Sequence, residues 1–395
     1  VQGLRTLSRN PDKRWFYWAE DDLATFDYRH LVSMGARIEI DETTSVDTGL
    51  VEDAFELTPE LVQSLVDANY FEHAIVTALT DNANAANRVI VALRGAEIVA
   101  DGTGENGTIL LKDRRPDHRN LNCVFVVWNR DAEAATPLQV FTGSTVPSEY
   151  YLALFQSFDG NMFRSCMVPQ GFHVRYVGNM NVGRSVHPNT LRQRSACPVI
   201  REPSPQRDFF DVSASIWDPA GPDASASSVG AHIHAGYWDN KSDPNWVWKF
   251  SSAGCQTIQG RVANDEKSGD IEAFLSAIEL PRAEAEDGVY SHEKYDTNFP
   301  MVLLSGREAR LHAQGAPLSA MRRIRFGSSV DASENPDHAI VKIQEALGVT
   351  ADGQFGAGSM LKLIDVQQRG TWLIGSAADG IVTPELATTQ DIELT

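Results

Sequence analysis

The segment Cys123-Val-Phe-Val-Val-Trp128 is apolar at every position, and this run constrains the fold more than any other stretch of the chain. It has the length of a strand, and a continuous apolar run of that length reads as a strand buried within a sheet. It falls far short of the roughly 20 apolar residues that cross a bilayer, and no other run approaches that length. Val89 to Leu93 reads in the same way and stops at Arg94-Gly95. Met301 to Leu304 is a third such run. Leu138 to Phe141 is predicted as a strand that ends in Gly143-Ser-Thr-Val-Pro147. Phe172 to Val177 alternates sides and closes at Gly178.

Helical signals lie between these strands. Thr58 reads as an N-cap with Pro59 at the first helical position, followed by an apolar face of Leu61, Val62, Leu65 and Val66. Asp270 is predicted to cap a helix that buries Ile271, Phe274, Leu275 and Ile278. Asp101 to Gly107 and Pro219 to Gly230 read as loops, the second a candidate lid. Near the C-terminus Ile340, Ile343 and Leu347 recur at helical spacing before an Asp352-Gly353 turn. A near copy of that turn, Asp379-Gly380, makes an internal repeat of a small helical module. The expected fold class is α+β. A mixed N-terminal region spans 1–120, a β-rich domain 121–327, a polar linker 328–337 and a small three-helix domain 338–395.

Composition narrows the function. The 395 residues carry 34 Lys and Arg against 53 Asp and Glu, a net charge of −19. Such a chain has no electrostatic reason to hold a phosphate backbone, so no nucleic-acid partner is expected. Four cysteines are too few for a disulfide scaffold of this size. Residue 1 is Val and no basic-plus-apolar leader opens the chain, so its start reads as a processed or trimmed end.

Cys255 is the leading candidate for chemistry. It ends Ser251-Ser252-Ala253-Gly254-Cys255, where small residues expose the sulfur and let backbone amides approach it as an oxyanion hole. A cysteine nucleophile needs a base, and Ala231-His232-Ile233-His234-Ala235-Gly236 lies upstream. On a strand, His232 and His234 share a face. The bland reading is that Cys255 is a small buried residue and His232 a hydrogen-bonded strand histidine. A zinc site is the other reading of His-x-His with a cysteine. No further ligand follows Cys255 at short spacing and no His-Glu-x-x-His occurs, so no metal and no cofactor are expected. The Gly-rich segment at Asp101 lacks the lysine and serine of a phosphate loop. Cys123, Cys166 and Cys197 read as structural or free thiols. His173 lines the cleft or packs within it. Arg94-Gly95 and Asp117-His118-Arg119 are polar clusters with no assigned role.

Taken in order, Gly143-Ser-Thr-Val-Pro147, Val168-Pro169-Gln170-Gly171, Ile233-His234-Ala235-Gly236 and Ser252-Ala253-Gly254-Cys255 resemble the L,D-transpeptidase catalytic domain of the YkuD type. The match covers roughly Asn122 to Gly315. Three features depart from the family pattern. The gap from His234 to Cys255 is long, Thr257 stands where the family has arginine or asparagine, and one extra residue separates His234 from Gly236. The resemblance implies a peptidoglycan-modifying enzyme in which Cys255 attacks a stem-peptide carbonyl and forms a thioester. His234 would be the base, and Ser252 would shape the loop. The amides of Gly254 and Cys255 would hold the oxyanion, with His232, Gly236, Pro169 and Gly171 along the substrate cleft. The acyl group would then pass to an amine or to water, giving cross-linking, exchange or hydrolysis.

The last stretch resembles the three-helix peptidoglycan-binding domain. Gln344, Asp352, Gly353, Phe355, Gly356, Asp379 and Gly380 carry that resemblance, and Val366-Gln367 stands in place of Phe-Gln. Together the two resemblances imply peptidoglycan as partner and the cell envelope, periplasmic or extracellular, as location. A non-catalytic alternative uses the same domains to anchor a particle, injection device or envelope complex to the wall. In that alternative the aromatic cluster Trp15-Phe16-Tyr17-Trp18 of the N-terminal region is a protein-docking surface.

Overall fold

The computed structural model describes residues 8–10, 15–17, 54–80, 87–101, 108–114, 116, 118, 120–131, 134, 136–148, 166–179, 190–193, 197–201, 216–220, 231–236, 250–263, 266–280, 298–370, 372 and 378–394. The loop at 102–107, residues 221–230 of the candidate lid, Trp18, Asp117 and Arg119 lie outside them.

Strands β1 (Ser8–Asn10) and β2 (Trp15–Tyr17) form a small antiparallel pair. Then follow β3 (Ala54–Leu57), α1 (Pro59–Ala68), α2 (Glu72–Thr80), β4 (Arg88–Arg94), β5 (Ala96–Asp101), β6 (Ile109–Asp113), β7 (Cys123–Asn129) and β8 (Leu138–Ser144). The middle of the chain adds β9 (Cys166–Met167), β10 (Gly171–Asn179), β11 (Thr190–Gln193), β12 (Cys197–Arg201), β13 (Ile216–Ala220), β14 (His232–Ala235) and β15 (Gln256–Ile258). Next come β16 (Arg261–Ala263), β17 (Glu266–Ser268), α3 (Asp270–Ala277), β18 (Asn298–Ser305), α4 (Gly306–Ala313) and α5 (Leu318–Met321). Three helices close the chain: α6 (Ala339–Leu347), α7 (Ala357–Gln368) and α8 (Pro384–Thr388). The mixture is α+β.

Eight strands close into a barrel in the order β10, β11, β14, β15, β8, β7, β4, β18. The β14–β15 and β18–β4 neighbours are parallel and the others antiparallel. The apolar runs explain the centre of the barrel. Ile90, Ala92, Phe125 and Val127 serve one buried cluster, while Val89, Val91, Leu93, Val124 and Val126 serve the other. The first cluster takes in α3, where the Phe274 ring meets Phe141 edge-on at 5.5 Å and Phe125 at 6.3 Å. Such aromatic pairs add about 1 kcal/mol each beyond the area they bury. The second cluster takes Leu61, Val62, Leu65 and Val66 of α1, which starts as expected with Thr58 Oγ1 accepting the Leu61 amide.

Three sequence expectations are revised. The division at 120/121 is not a structural boundary, because β4 pairs with β7 along all seven of its residues, Arg88 opposite Asn129 to Arg94 opposite Cys123. Periodicity in one segment carries no information on which distant strand it joins. Asp270 does not cap α3; the N-cap is Gly269, and the Asp270 carboxylate accepts the Thr142 amide of β8 at 2.8 Å. The segment 328–337 begins as a buried connector. Ser328 is fully buried, its hydroxyl donates to Asn69 O, the Ser329 amide donates to Tyr70 O, and the Val330 amide to Gly353 O.

The three-helix module shares the first cluster with the barrel through Ile340, Ile343, Leu363 and Val382. Its two turns use one circuit twice. Gln344 Nε2 donates to Asp352 Oδ1 and Gln354 O, and the Gly353 amide donates back to Gln344 Oε1. Gln367 Nε2 likewise donates to Asp379 Oδ1 and Ile381 O, and the Gly380 amide donates to Gln367 Oε1. Gly353 and Gly380 both have φ near +75°, which glycine tolerates and other residues resist. The sequence repeat is therefore a structural repeat. Gln344, Gly353 and Gly380 are buried within the turn circuits, and Phe355 is buried in the core. Asp352 is exposed, while Gly356 and Asp379 are half-buried.

Candidate functional site

The site is built where β14 and β15 run side by side. Their parallel register sets Ile233 opposite Gln256, an offset of 23 residues (256 − 233). That offset puts Cys255, just before β15, level with His232 at the start of β14. Opposed side chains across a ladder point to the same face. Accordingly Cys255 Sγ lies 4.0 Å from His232 Nδ1, and both residues are half-buried. His234 stands opposite Thr257, two residues deeper. It is buried, and its Nδ1 donates to Ala235 O at 2.6 Å. The expectation that His234 partners Cys255 is corrected on this point. Strand alternation allowed either histidine, and only the pairing register chooses between them.

The loop before Cys255 is held from three sides. Ser252 Oγ donates to Cys255 O at 2.6 Å and accepts the Gly254 amide at 2.9 Å. The Ser148 amide donates to Ser252 O, and the Cys166 amide donates to Ala253 O. Gly254 has φ +143°, and a Cβ there would run into the carbonyl and the thiol of Cys166. Glycine is thus required twice, by conformation and by space. The Gly254 amide already has an acceptor in Ser252, which removes it from the expected pair of oxyanion donors. Ser148 left no signal in the sequence. Burial raises the Cys255 thiol to about 11, while a hydrogen bond with the His232 backbone pulls it the other way.

The other expected cleft residues make contacts within the fold. Gly236 is buried and extends the β14–β15 ladder, its amide donating to Ile258 O at 2.8 Å. Pro169 is buried and its carbonyl accepts His173 Nε2 at 3.0 Å. Gly171 lies where a Cβ would strike the Phe326 carbonyl, so it permits the barrel to meet the connector to the helical module. His173 is fully buried; its Nδ1 accepts from Gln193 Nε2 at 3.2 Å, and desolvation lowers its pKa to about 4. His173 therefore packs within the barrel as a neutral imidazole. Cys123 and Cys197 are buried, and each thiol is pushed up to about 12, mainly by desolvation.

Two unassigned polar clusters acquire contacts. His118 is buried with Nδ1 2.6 Å from Pro147 O. Arg94, 6% exposed, donates from Nε to Thr145 Oγ1 at 2.9 Å and from Nη2 to Val168 O at 2.9 Å. Among the described residues no cluster of His, Cys, Asp and Glu is arranged to hold a metal ion, and no helix is long and apolar enough to cross a membrane. Compared with family models, curated proteins and solved structures, the chain gives no match in any of the three.

Proposed function

We propose that this chain is a cysteine acyltransferase of the L,D-transpeptidase type acting on peptidoglycan stem peptides, with Cys255 as nucleophile and His232 as base. The observation that carries the reading is the Cys255–His232 pair, 4.0 Å apart on one face of a parallel ladder, beside a loop pinned through Ser252. Because burial holds the thiol near 11, the resting group is a neutral thiol. His232 takes the thiol proton as Sγ attacks the carbonyl carbon, so proton removal and bond formation belong to one step. The carbonyl oxygen becomes an oxyanion, for which the Cys255 amide is the assigned donor. When the tetrahedral intermediate collapses, the C–N bond breaks and the leaving amine takes the proton from His232. An amine or water then attacks the thioester carbon and loses its proton to His232; the C–S bond breaks, and the departing sulfur takes that proton back from His232 to restore the thiol.

In this reading the helical module holds the wall, with Asp352 and Gly356 as its accessible turn residues, and raises the local concentration of stem peptide. The enzyme acts in the cell envelope. A second reading is a non-catalytic anchor, favoured by one observation: the Cys255 thiol is pushed up by burial instead of being held as a thiolate. Mass spectrometry of muropeptides incubated with the full chain decides between them. The enzymatic reading expects new cross-linked, exchanged or shortened stems that a Cys255→Ala variant fails to produce. Equal product from wild type and variant, or none from a folded wild type that binds the wall, sinks it in favour of the anchor.

A further inference from the structure

The pairing register extends the Cys255–His232 row by one more strand. β14 lies between β11 and β15 in the barrel, and on its β11 side Arg192 stands opposite His232. Opposed side chains share a face of the sheet. Arg192, His232 and Cys255 therefore form one row across three strands, with His232 in the middle. The same face carries His234 opposite Thr257, and Ser144 of β8 opposite Thr257 on the other side. The reverse face of these strands turns Leu191, Ile233 and Ile258 into the first buried cluster. Polar groups thus converge on the face that holds the cysteine, as they do where a ligand is oriented.

Arg192 is half-buried and left no signal in the sequence. Among the described residues its side chain has no hydrogen-bond or ion-pair partner, and its Nε is fully enclosed. An enclosed donor without an acceptor costs free energy, and such an orphan in a native fold calls for an explanation. The reaction at Cys255, for its part, lacks a second oxyanion donor. Of the two amides next to the sulfur, that of Gly254 already donates to Ser252 Oγ. Neighbouring strands lie about 4.8 Å apart, so the Arg192 backbone stands about 10 Å from that of Cys255. An extended arginine side chain crosses most of that span, and an acyl group on Sγ closes the rest from the other side. The β14 strand lies between Arg192 and the resting thiol, so the guanidinium is not the counter-charge of that sulfur.

We infer that Arg192 is a catalytic residue, its guanidinium donating to the oxyanion formed when Cys255 attacks a carbonyl, in place of the Gly254 amide. In that step the C–S bond forms, the carbonyl π pair moves onto oxygen, and His232 takes the thiol proton. The inference rests on Cys255 being the acylated nucleophile. It does not require that the acyl group come from peptidoglycan, and its test is independent of wall chemistry.

The test compares two reactions of Cys255 on the full chain, with p-nitrophenyl acetate and with iodoacetamide. The ester is attacked at a carbonyl and passes through an oxyanion; sulfur then keeps the acetyl group while p-nitrophenolate leaves with the C–O bonding pair. Iodoacetamide is attacked at a saturated carbon, iodide leaves, and no oxyanion forms. Both products at Cys255 are read by peptide mass spectrometry. Arg192→Met is expected to slow acetylation about 100-fold, the effect of losing one oxyanion donor, and to leave the iodoacetamide rate unchanged. Arg192→Lys, which keeps a charged donor, should recover most of the acetylation. A fall of both rates by the same factor would mark Arg192 as structural and overturn the inference, as would unchanged acetylation in Arg192→Met. A wild-type Cys255 that the ester does not acetylate also overturns it, whatever iodoacetamide does. Should Arg192→Met not fold, Arg192→Gln, which removes the charge and shortens the reach, is read by the same two rates with the same outcomes. Acetylation that depends on Arg192, in a chain inert toward muropeptides, would keep this role for Arg192 and remove the wall substrate.

Discussion

The reactivity of Cys255 as a function of pH tests the account of the site most directly. An ordinary cysteine titrates near 8.5, so about 3% is thiolate at pH 7. Burial moves Cys255 to about 11, which leaves about one part in ten thousand as thiolate at pH 7. That is a roughly 300-fold smaller reactive fraction. A more basic thiolate is a better nucleophile, and a Brønsted slope of about 0.4–0.5 returns roughly tenfold. The net expectation is alkylation about thirtyfold slower than a free thiol at pH 7. Its logarithm should rise with unit slope from pH 6 to about 10, without a plateau. Iodoacetamide labelling followed by digestion resolves Cys255 from Cys123, Cys166 and Cys197. Those three are buried and should stay unmodified in the folded chain. A plateau below pH 8 would refute the argument, because it would show a stored thiolate and a charge partner that the described residues do not contain. Fast labelling of Cys123 would show that the barrel opens.

Three further outcomes follow. His232→Ala should lower acyl transfer by a factor of about 100 to 10,000 while leaving the Cys255 alkylation profile nearly unchanged, whereas His234→Ala should cost about 2 kcal/mol of stability and spare turnover per folded molecule; the reverse pattern in kinetics and denaturant melts would restore His234 as the base. His173 has a folded pKa lowered to about 4 against about 6.5 unfolded, so the unfolded chain binds the proton more tightly, and its contribution of about 3 kcal/mol is fully present above pH 6.5 and lost as pH falls toward 4. His173→Gln should flatten that part of the stability curve, and an unchanged acid limb would show that His173 is not its source. Gln344→Ala strips its partners from the Asp352-Gly353 turn and should destabilise the helical module by about 3 kcal/mol, seen in hydrogen exchange of the Gly353 amide; unchanged protection there would contradict the turn circuit.

Much of the architecture was legible because it is written in short-range patterns. The runs at Val89–Leu93 and Cys123–Trp128 are buried strands, and the face of Leu61, Val62, Leu65 and Val66 is buried as its spacing requires. The Asp-Gly repeat marked a repeated structural circuit. What it could not reveal was that the conspicuous residues of that repeat are consumed by their own turns. Gln344 and Gln367 are polar in the sequence, and only the folded module shows their amides already satisfied.

The sequence by itself determined that the chain is an α+β protein with an acidic balance, and that its candidate nucleophile lies in a small-residue turn before Cys255. Those properties depend on composition and on spacings of a few residues, which the chain carries before it folds. Tertiary structure decided three things that spacing cannot. It drew β4 into the barrel across the 120/121 division. It laid β14 beside β15 with a 23-residue offset, which gave His232 in place of His234 to Cys255. It brought the guanidinium of Arg94 within hydrogen-bond reach of Thr145 and Val168, in the two segments that hold the nucleophile loop. The physical reason is common to all three. A strand specifies which of its faces is apolar, but its partner and its register follow only from closing the barrel around a packed core.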